Sequence, residues 1–507
     1  MLSQVYSFGL SGLDAYPVTI EVDITEGLPA VNIVGLPDNA IRESRERVRL
    51  AIKNSGYFFP PERITVNLAP ADTKKEGPSY DLPIALGVLA ASGQIDIEKL
   101  KKFVILGELS LDGRIQPVHG ALSIALSVEK TKFQGIILPR ANAAEAALAN
   151  NLPAFPVENL KELIYFFQNP DAIKPVEVNL RELLKPSHNF SMDFSEVKGQ
   201  THVKRGLEIA AAGGHNACLI GPPGSGKTML AKRLPTILPD MSYEEILQTT
   251  KIHSVMGLID SAHGLLTTRP FRAPHHTCSD VALIGGGSIP RPGEITLSHN
   301  GILFLDELPE FDRNVLEALR QPLEEHFVTV ARAAKTLKFP ARFMLVAAMN
   351  PCPCGWRTEP KKTCRCGSKD IERYMNKISG PLLDRIDLHI SVRSLSPTDL
   401  LSPNPQETSQ EIKKRTSAAR DLQQKRFHKS KTAANALMTQ KQIKEFCPLD
   451  DECQALLKNA IEQLGLSARA HDKILKISRT IADLADEKTL SAEHLAEAIQ
   501  YRSLDRI

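Results

Sequence analysis

Gly221-Pro-Pro-Gly-Ser-Gly226-Lys227-Thr228 constrains this chain more than any other string, because it fits G-x-x-x-x-G-K-[ST] at every fixed position. Such a loop works only between a buried strand and a helix. Ala217–Ile220 is apolar enough for the strand, and Met229–Leu234 opens the helix. The sequence therefore predicts an α/β layer in which Gly221, Pro222, Pro223, Gly224, Ser225 and Gly226 curl so that backbone N–H groups face phosphate oxygens. Lys227 supplies a cation for the β- and γ-phosphates of ATP, and the Thr228 hydroxyl supplies a ligand for Mg²⁺.

Two further apolar runs end in chemistry. Gly301-Ile-Leu-Phe-Leu-Asp306-Glu307 delivers two carboxylates at the end of a strand, where ligands of parallel sheets bind. Asp306 is expected to hold Mg²⁺, through water, and Glu307 to orient and polarise the attacking water. Phe343–Met349 ends in Asn350, a neutral amide able to bond that water or the γ-phosphate without adding negative charge. These three strand ends resemble an AAA+ ATPase, in which Asn350 falls at the sensor 1 position. The resemblance extends to two arginines. Arg385, in Gly380-Pro-Leu-Leu-Asp-Arg385-Ile-Asp387, sits where related proteins carry the arginine finger, and Arg469 looks like sensor 2. Ordinary ion pairing is the alternative for both.

Composition sets bounds. A chain of 507 residues exceeds what one core supports, so two or three domains are expected. A net charge of +3 neither argues for nucleic acid nor excludes it. No Lys or Arg precedes Arg42 and no apolar run is long enough to span a bilayer, so a cytoplasmic protein without a membrane partner is expected. The predicted organisation is an α/β domain over 1–168, a Pro-spaced linker over 169–194 including Pro186, an α/β ATPase domain over 195–395, a linker with a basic helix over 396–438, and a helical lid over 439–507. In the basic helix Lys413, Lys414, Arg415, Lys425, Arg426, Lys429 and Lys431 read as a solvated face, with a partner site as the alternative. In the lid, Ile474, Ile477, Ile481 and Leu484 recur at helical spacing and form one buried stripe, and Ser491 is placed to cap the last helix.

Further strings narrow the resemblance: Arg269-Pro-Phe-Arg-Ala-Pro-His-His-Thr277, Arg291-Pro-Gly-Glu-Ile-Thr-Leu-Ser-His-Asn-Gly301 and Asn350-Pro-Cys-Pro-Cys-Gly355. With these the chain resembles the bacterial ComM/YifB family from end to end, a magnesium-chelatase-like branch of AAA+ proteins close to MCM helicases. The resemblance implies a hexameric ring that drives DNA branch migration during natural transformation. It also implies a hairpin that projects into the ring channel. Phe327–Lys338 fits that hairpin, with Arg332, Lys335 and Lys338 as candidate phosphate contacts. A solvated hairpin tip is the alternative. Rival functions are a chelatase subunit inserting Mg²⁺ into a tetrapyrrole, an ATP-dependent protease and a regulatory ATPase. His275 and His276 read as turn-capping or packed residues, not metal ligands.

The N-terminal region resembles the Lon protease domain through Glu76-Gly-Pro-Ser79 and Gly107–Gly120. Lon cleaves peptides with a Ser-Lys dyad. Ser79 falls at the serine position, but the lysine position falls on Leu122, which accepts no proton, and Lys74 and Lys75 are off the pattern. A non-proteolytic module is expected. Of the eight cysteines, Cys352, Cys354, Cys364 and Cys366 cluster and could hold structural Zn²⁺ tetrahedrally. Their C-x-C spacing is tighter than usual, and reduced loop thiols are the alternative.

Overall fold

A computed structural model of the chain describes residues 2–178, 190–260, 264–287, 290–332, 335–359, 362–395, 405–428, 430, 432–465 and 467–502. Of the segments singled out above, Pro186, residues 396–404, Lys429 and Lys431 lie outside the described residues, as do the side chains of Arg332 and Lys335. The fold is mixed α/β, with parallel strand pairs in both of its large sheets. It divides into two compact units: Met1–Lys185 with Tyr243–Thr267, and Pro186–Ser242 with Thr268–Ile507.

The first unit is built on a seven-stranded sheet in the order Ala30–Val34, Arg63–Ala69, Asp14–Thr25, Ser3–Ser11, Phe103–Ile105, Gly135–Pro139, Ala154–Val157. Ser3–Ser11 and Asp14–Thr25 form an antiparallel hairpin, whereas the strands from Ser3–Ser11 to Ala154–Val157 run parallel. Beyond Asp81, whose buried carboxylate pairs with Arg47 at 2.8 Å, the helix Asp81–Ala91 is apolar on every side and buried throughout, as an all-round hydrophobic helix must be. The helix Tyr243–Val255 belongs to this unit although it follows the Lys227 loop in sequence. It is fastened by Gly120 N–H donating to the Ser254 carbonyl at 3.0 Å, by Lys251 to Asp14 at 2.9 Å, and by the Ser254 hydroxyl donating to Glu145.

The second unit carries a five-stranded sheet, Phe271–Arg272, Ile302–Leu305, Met344–Met349, Ala217–Ile220, Leu388–Ser391, with every pairing parallel. Its inner strands are apolar and buried at every position of Ile302–Leu305 and Met344–Met349, as covering both faces of a parallel sheet requires. The lid helices Gln440–Phe446, Asp451–Leu464, Ala468–Leu484 and Ala492–Gln500 share one core with this sheet. Ile474, Ile477 and Ile481 are buried, Leu484 packs partly against them, and Ser491 caps Ala492–Gln500 by accepting from His494 N–H. Phe327–Arg332 and Lys335–Pro340 pair antiparallel as a hairpin, with Arg332 opposite Lys335 in the register. Lys338 is exposed, its ammonium 4.6 Å from the Phe327 ring centre.

Candidate nucleotide site

Parallel pairing aligns the C-terminal ends of three strands, so that the residues following them meet at one edge of the sheet. Ile220 pairs with Met349, and Leu305 with Ala347. The loop Gly221–Gly226 leaves the first strand and Lys227–Arg233 continues as helix. Gly221 admits no side chain, because a Cβ there would stand 2.1 Å from the Val392 carbonyl oxygen. The Lys227 ammonium donates to the carbonyls of Gly221 at 2.7 Å and Pro222 at 2.9 Å, and to Asn350 Oδ1 at 3.1 Å. Burial lowers its pKa, and the carboxylates of Asp306 and Glu307 oppose that shift. Thr228 Oγ1 donates to Asp306 Oδ2 at 2.6 Å. Lys227, Thr228, Asp306 and Asn350 are thus gathered by three separate strand ends.

Glu307 follows with a left-handed backbone, φ +53, which costs a residue with a Cβ roughly 1–2 kcal/mol. The Glu307 side chain remains 57% exposed. His276 lies 3.5 Å from the Glu307 carboxylate, and the His275 and His276 rings are tilted against each other with centres 4.1 Å apart. His275 caps its own turn, its Nδ1 lying 2.9 Å from Thr277 Oγ1 and accepting from the Thr277 N–H. Sequence reasoning had no signal for the His276 contact, which joins distant loops.

The four clustered cysteines come together immediately beyond Asn350. Sulfur separations are 3.4 Å for Cys352–Cys354, 3.7 Å for Cys352–Cys364 and 3.6 Å for Cys354–Cys364, and all four sulfurs lie within 4.8 Å of one another. A tetrahedral Zn²⁺ with bonds of about 2.3 Å sets its sulfurs about 3.8 Å apart, so the donor set fits. Backbone N–H groups of Trp356 and Arg365 hold the Cys354 thiol down to about 6, whereas at Cys364 and Cys366 a backbone N–H bond is outweighed by burial and the neighbouring cysteine thiols, which push both up. The loop also abuts the phosphate loop: a Cβ on Gly355 would stand 2.5 Å from Pro223 Cδ.

Arg385 and Arg469 lie elsewhere in the same unit. Arg385 precedes the strand Leu388–Ser391, whose first residue pairs with Ala217, so it sits at the opposite end of the strands from the Lys227 loop. Four strand residues separate the two edges by about 13 Å. Arg385 pairs with Glu324 and donates to the Pro381 carbonyl, and Arg469 lies 3.6 Å from Asp384. Both arginines line one cavity of about 360 Å³ that also includes Asn216, Glu324, Asp384 and Lys473. The two arginines are therefore together, and away from the Lys227 loop of their own chain.

Three stretches match magnesium-chelatase families: residues 20–142 "Subunit ChlI of Mg-chelatase", 193–400 "Magnesium chelatase, subunit ChlI", and 406–502 "Magnesium chelatase, subunit ChlI C-terminal". Over its full length the chain is 44% identical to the competence protein ComM of Haemophilus influenzae, covering 98% of that protein. The identity to YifB of Escherichia coli is also 44%, over 100% of this chain and 98% of that one. The chain belongs to the ComM/YifB family. ComM/YifB membership makes its second unit a magnesium-chelatase-type AAA+ module, for which ATP and Mg²⁺ are the implied ligands. Partial similarity reaches the DNA replication licensing factor mcm6 of Dictyostelium discoideum, 24% over 59% of the chain and 32% of that protein. It also reaches the Lon protease of Chloroflexus aurantiacus, 27% over 31% of the chain and 20% of that protein. Among the described residues no helix is long and apolar enough to cross a membrane.

Proposed function

We propose that this protein is a cytoplasmic ATP-hydrolysing motor working as a ring of identical subunits, a hexamer, that drives branch migration of DNA recombination intermediates during natural transformation. The observation that carries the reading is the separation of the two halves of the catalytic set. Lys227, Thr228, Asp306, Glu307 and Asn350 stand at one edge of the parallel sheet, and Arg385 and Arg469 at the other. A copy of the same chain, docked edge to edge, supplies what each site lacks, and repetition of such a head-to-tail contact closes a ring.

In the site Lys227 binds the β- and γ-phosphates, while Thr228 and Asp306 would hold Mg²⁺. Glu307 accepts a proton from the attacking water, and Asn350 fixes that water against the γ-phosphate. The neighbour's Arg385 offsets charge on the transferring group, an effect worth ~10³–10⁵ in rate for arginine fingers. Cys352, Cys354, Cys364 and Cys366 would hold Zn²⁺ and stiffen the loop that follows Asn350 and abuts Pro223. For DNA, the hairpin Phe327–Pro340 with Arg332, Lys335 and Lys338 supplies cations suited to phosphate contact without base reading. The naming of the relative ComM as a competence protein supports the biological setting.

The second reading, favoured by the family descriptions, is a subunit that helps insert Mg²⁺ into a tetrapyrrole. ATP hydrolysis measured with and without branched DNA decides between them. The motor reading expects stimulation by DNA that falls in Arg332→Ala/Lys335→Ala protein, with a salt dependence flattened by about two counterions per subunit. Hydrolysis indifferent to DNA would contradict it.

A further inference from the structure

The two arginines come from different elements, and a buried ionic hub joins those elements behind them. Arg385 lies in the turn between the short helix Gly380–Leu383 and the strand Leu388–Ser391, and Arg469 lies at the start of the helix Ala468–Leu484. Asp387 is two residues beyond Arg385, and Lys473 is one helical turn beyond Arg469, on the same face. The Lys473 ammonium reaches Asp387 Oδ1 at 3.0 Å and donates to the Ile386 carbonyl at 3.1 Å, gripping both side chain and backbone of the Arg385 turn. Both partners are nearly enclosed, with 14% and 13% of their side chains exposed.

Asn216 closes the hub from a third element. Its N–H donates to Asp387 Oδ2 at 3.1 Å, its side-chain amide donates to the Arg385 carbonyl at 3.0 Å, and its carbonyl accepts from Asp387 N–H at 2.9 Å. Its amide oxygen meanwhile accepts from Leu345 N–H at 2.8 Å, near the start of the strand Met344–Met349 that leads to Asn350. Asn216 also directly precedes the strand Ala217–Ile220 that leads to the Lys227 loop. Burial acts to raise the Asp387 pKa, but Lys473 and His215 outweigh it and hold the carboxyl well below its usual range. Burial lowers the Lys473 pKa, with Asp387 opposing that shift, so the hub rests on its short contacts.

We propose that Asp387 and Lys473, braced by Asn216, are positioning residues that set Arg385 and Arg469 as one unit for the nucleotide of the neighbouring subunit. This rests on the ring reading above. Neither residue touches the nucleotide; each acts by fixing where the arginines stand. Misplacement of a charge-stabilising group by about an ångström costs ~10²-fold in rate.

The test uses full-length Lys473→Met and Asp387→Asn, each neutralising one partner. Homogeneous rings should assemble and bind labelled ATP as wild type does. Their kcat should fall by ~10²-fold or more toward that of Arg385→Ala, with little change in KM. Lys473→Arg, which keeps the charge, should recover much of the rate. The deciding readout is mixed rings. A Lys473→Met subunit keeps an intact Lys227 loop, so mixing with Lys227→Ala subunits should restore hydrolysis, whereas mixing with Arg385→Ala subunits should not. Wild-type kcat in both neutral variants would overturn the proposal. So would failure of both to assemble, or failure of Lys473→Met to complement Lys227→Ala while Arg385→Ala does. If Arg385→Ala itself fails to complement Lys227→Ala in confirmed mixed rings, the ring reading falls instead.

Discussion

The two sheets of this chain end in different ways. At the C-terminal edge of the five-stranded sheet, an ammonium, a hydroxyl, a carboxylate and an amide converge within hydrogen-bonding distance from three strands. In the seven-stranded unit the position that resembles the Lon lysine is Leu122, fully buried at the start of the helix Ala121–Val128, and its N–H donates to Glu145 at 2.8 Å. Burial raises the Glu145 pKa, and the carboxyl is occupied by the Ser254 hydroxyl as well. Ser79 sits in the turn Pro78–Tyr80, with its carbonyl tied to Gly107 N–H. Lys75 is fully buried with its ammonium unbonded among the described residues and its pKa lowered by burial, yet no hydrogen bond links it to Ser79. The position that resembles the Lon lysine is thus apolar and buried, which is why activity has to be argued from side chains and not from architecture.

This contrast can be broken at either sheet. The largest effect is expected at the parallel one. Lys227→Ala should abolish ATP binding, whereas Glu307→Gln should bind ATP and lose turnover by ~10²–10⁴-fold, the usual worth of a positioned general base. Labelled-ATP binding beside phosphate release separates the two, and normal turnover in Glu307→Gln would remove its assignment. Next in size is the cysteine loop. Protein prepared without chelators should carry about one zinc per chain, because four thiolates complete one tetrahedral site. Cys352→Ser/Cys354→Ser should lose the metal and slow hydrolysis by loosening the loop that follows Asn350 and abuts Pro223. Elemental analysis without zinc would decide for free thiols. The smallest effect belongs to the mixed sheet: Ser79→Ala should change stability by less than about 0.5 kcal/mol and leave ATP hydrolysis at the wild-type rate. Wild-type protein should leave casein intact; Ser79-dependent cleavage would erase the contrast.

What was legible in the sequence followed from local grammar. The strand–loop–helix around Lys227 and the strands ending in Asp306 and Asn350 are each specified within about ten residues, since glycine-rich turns and apolar runs carry their own signal. The capping of the last helix by Ser491 and the stripe through Ile474 and Ile481 were equally local. The helix Tyr243–Val255 was not legible as part of the first unit, because it buries Thr249, Thr250, His253 and Ser254 and so lacks a clear apolar period. The strand Ser3–Ser11 hid for a similar reason: Ser3 is buried and satisfied by donating to the Gly87 carbonyl at 2.7 Å. The Asp387 hub and the His276–Glu307 contact depend on residues brought together from afar, which no window of sequence reveals.

Branch movement on a synthetic four-way DNA junction tests the central claim most directly. Wild-type protein is predicted to separate the arms only with both ATP and Mg²⁺ present, and Glu307→Gln protein to bind the junction without resolving it. A wild-type protein that hydrolyses ATP normally, yet neither binds nor moves branched DNA, would contradict the motor reading.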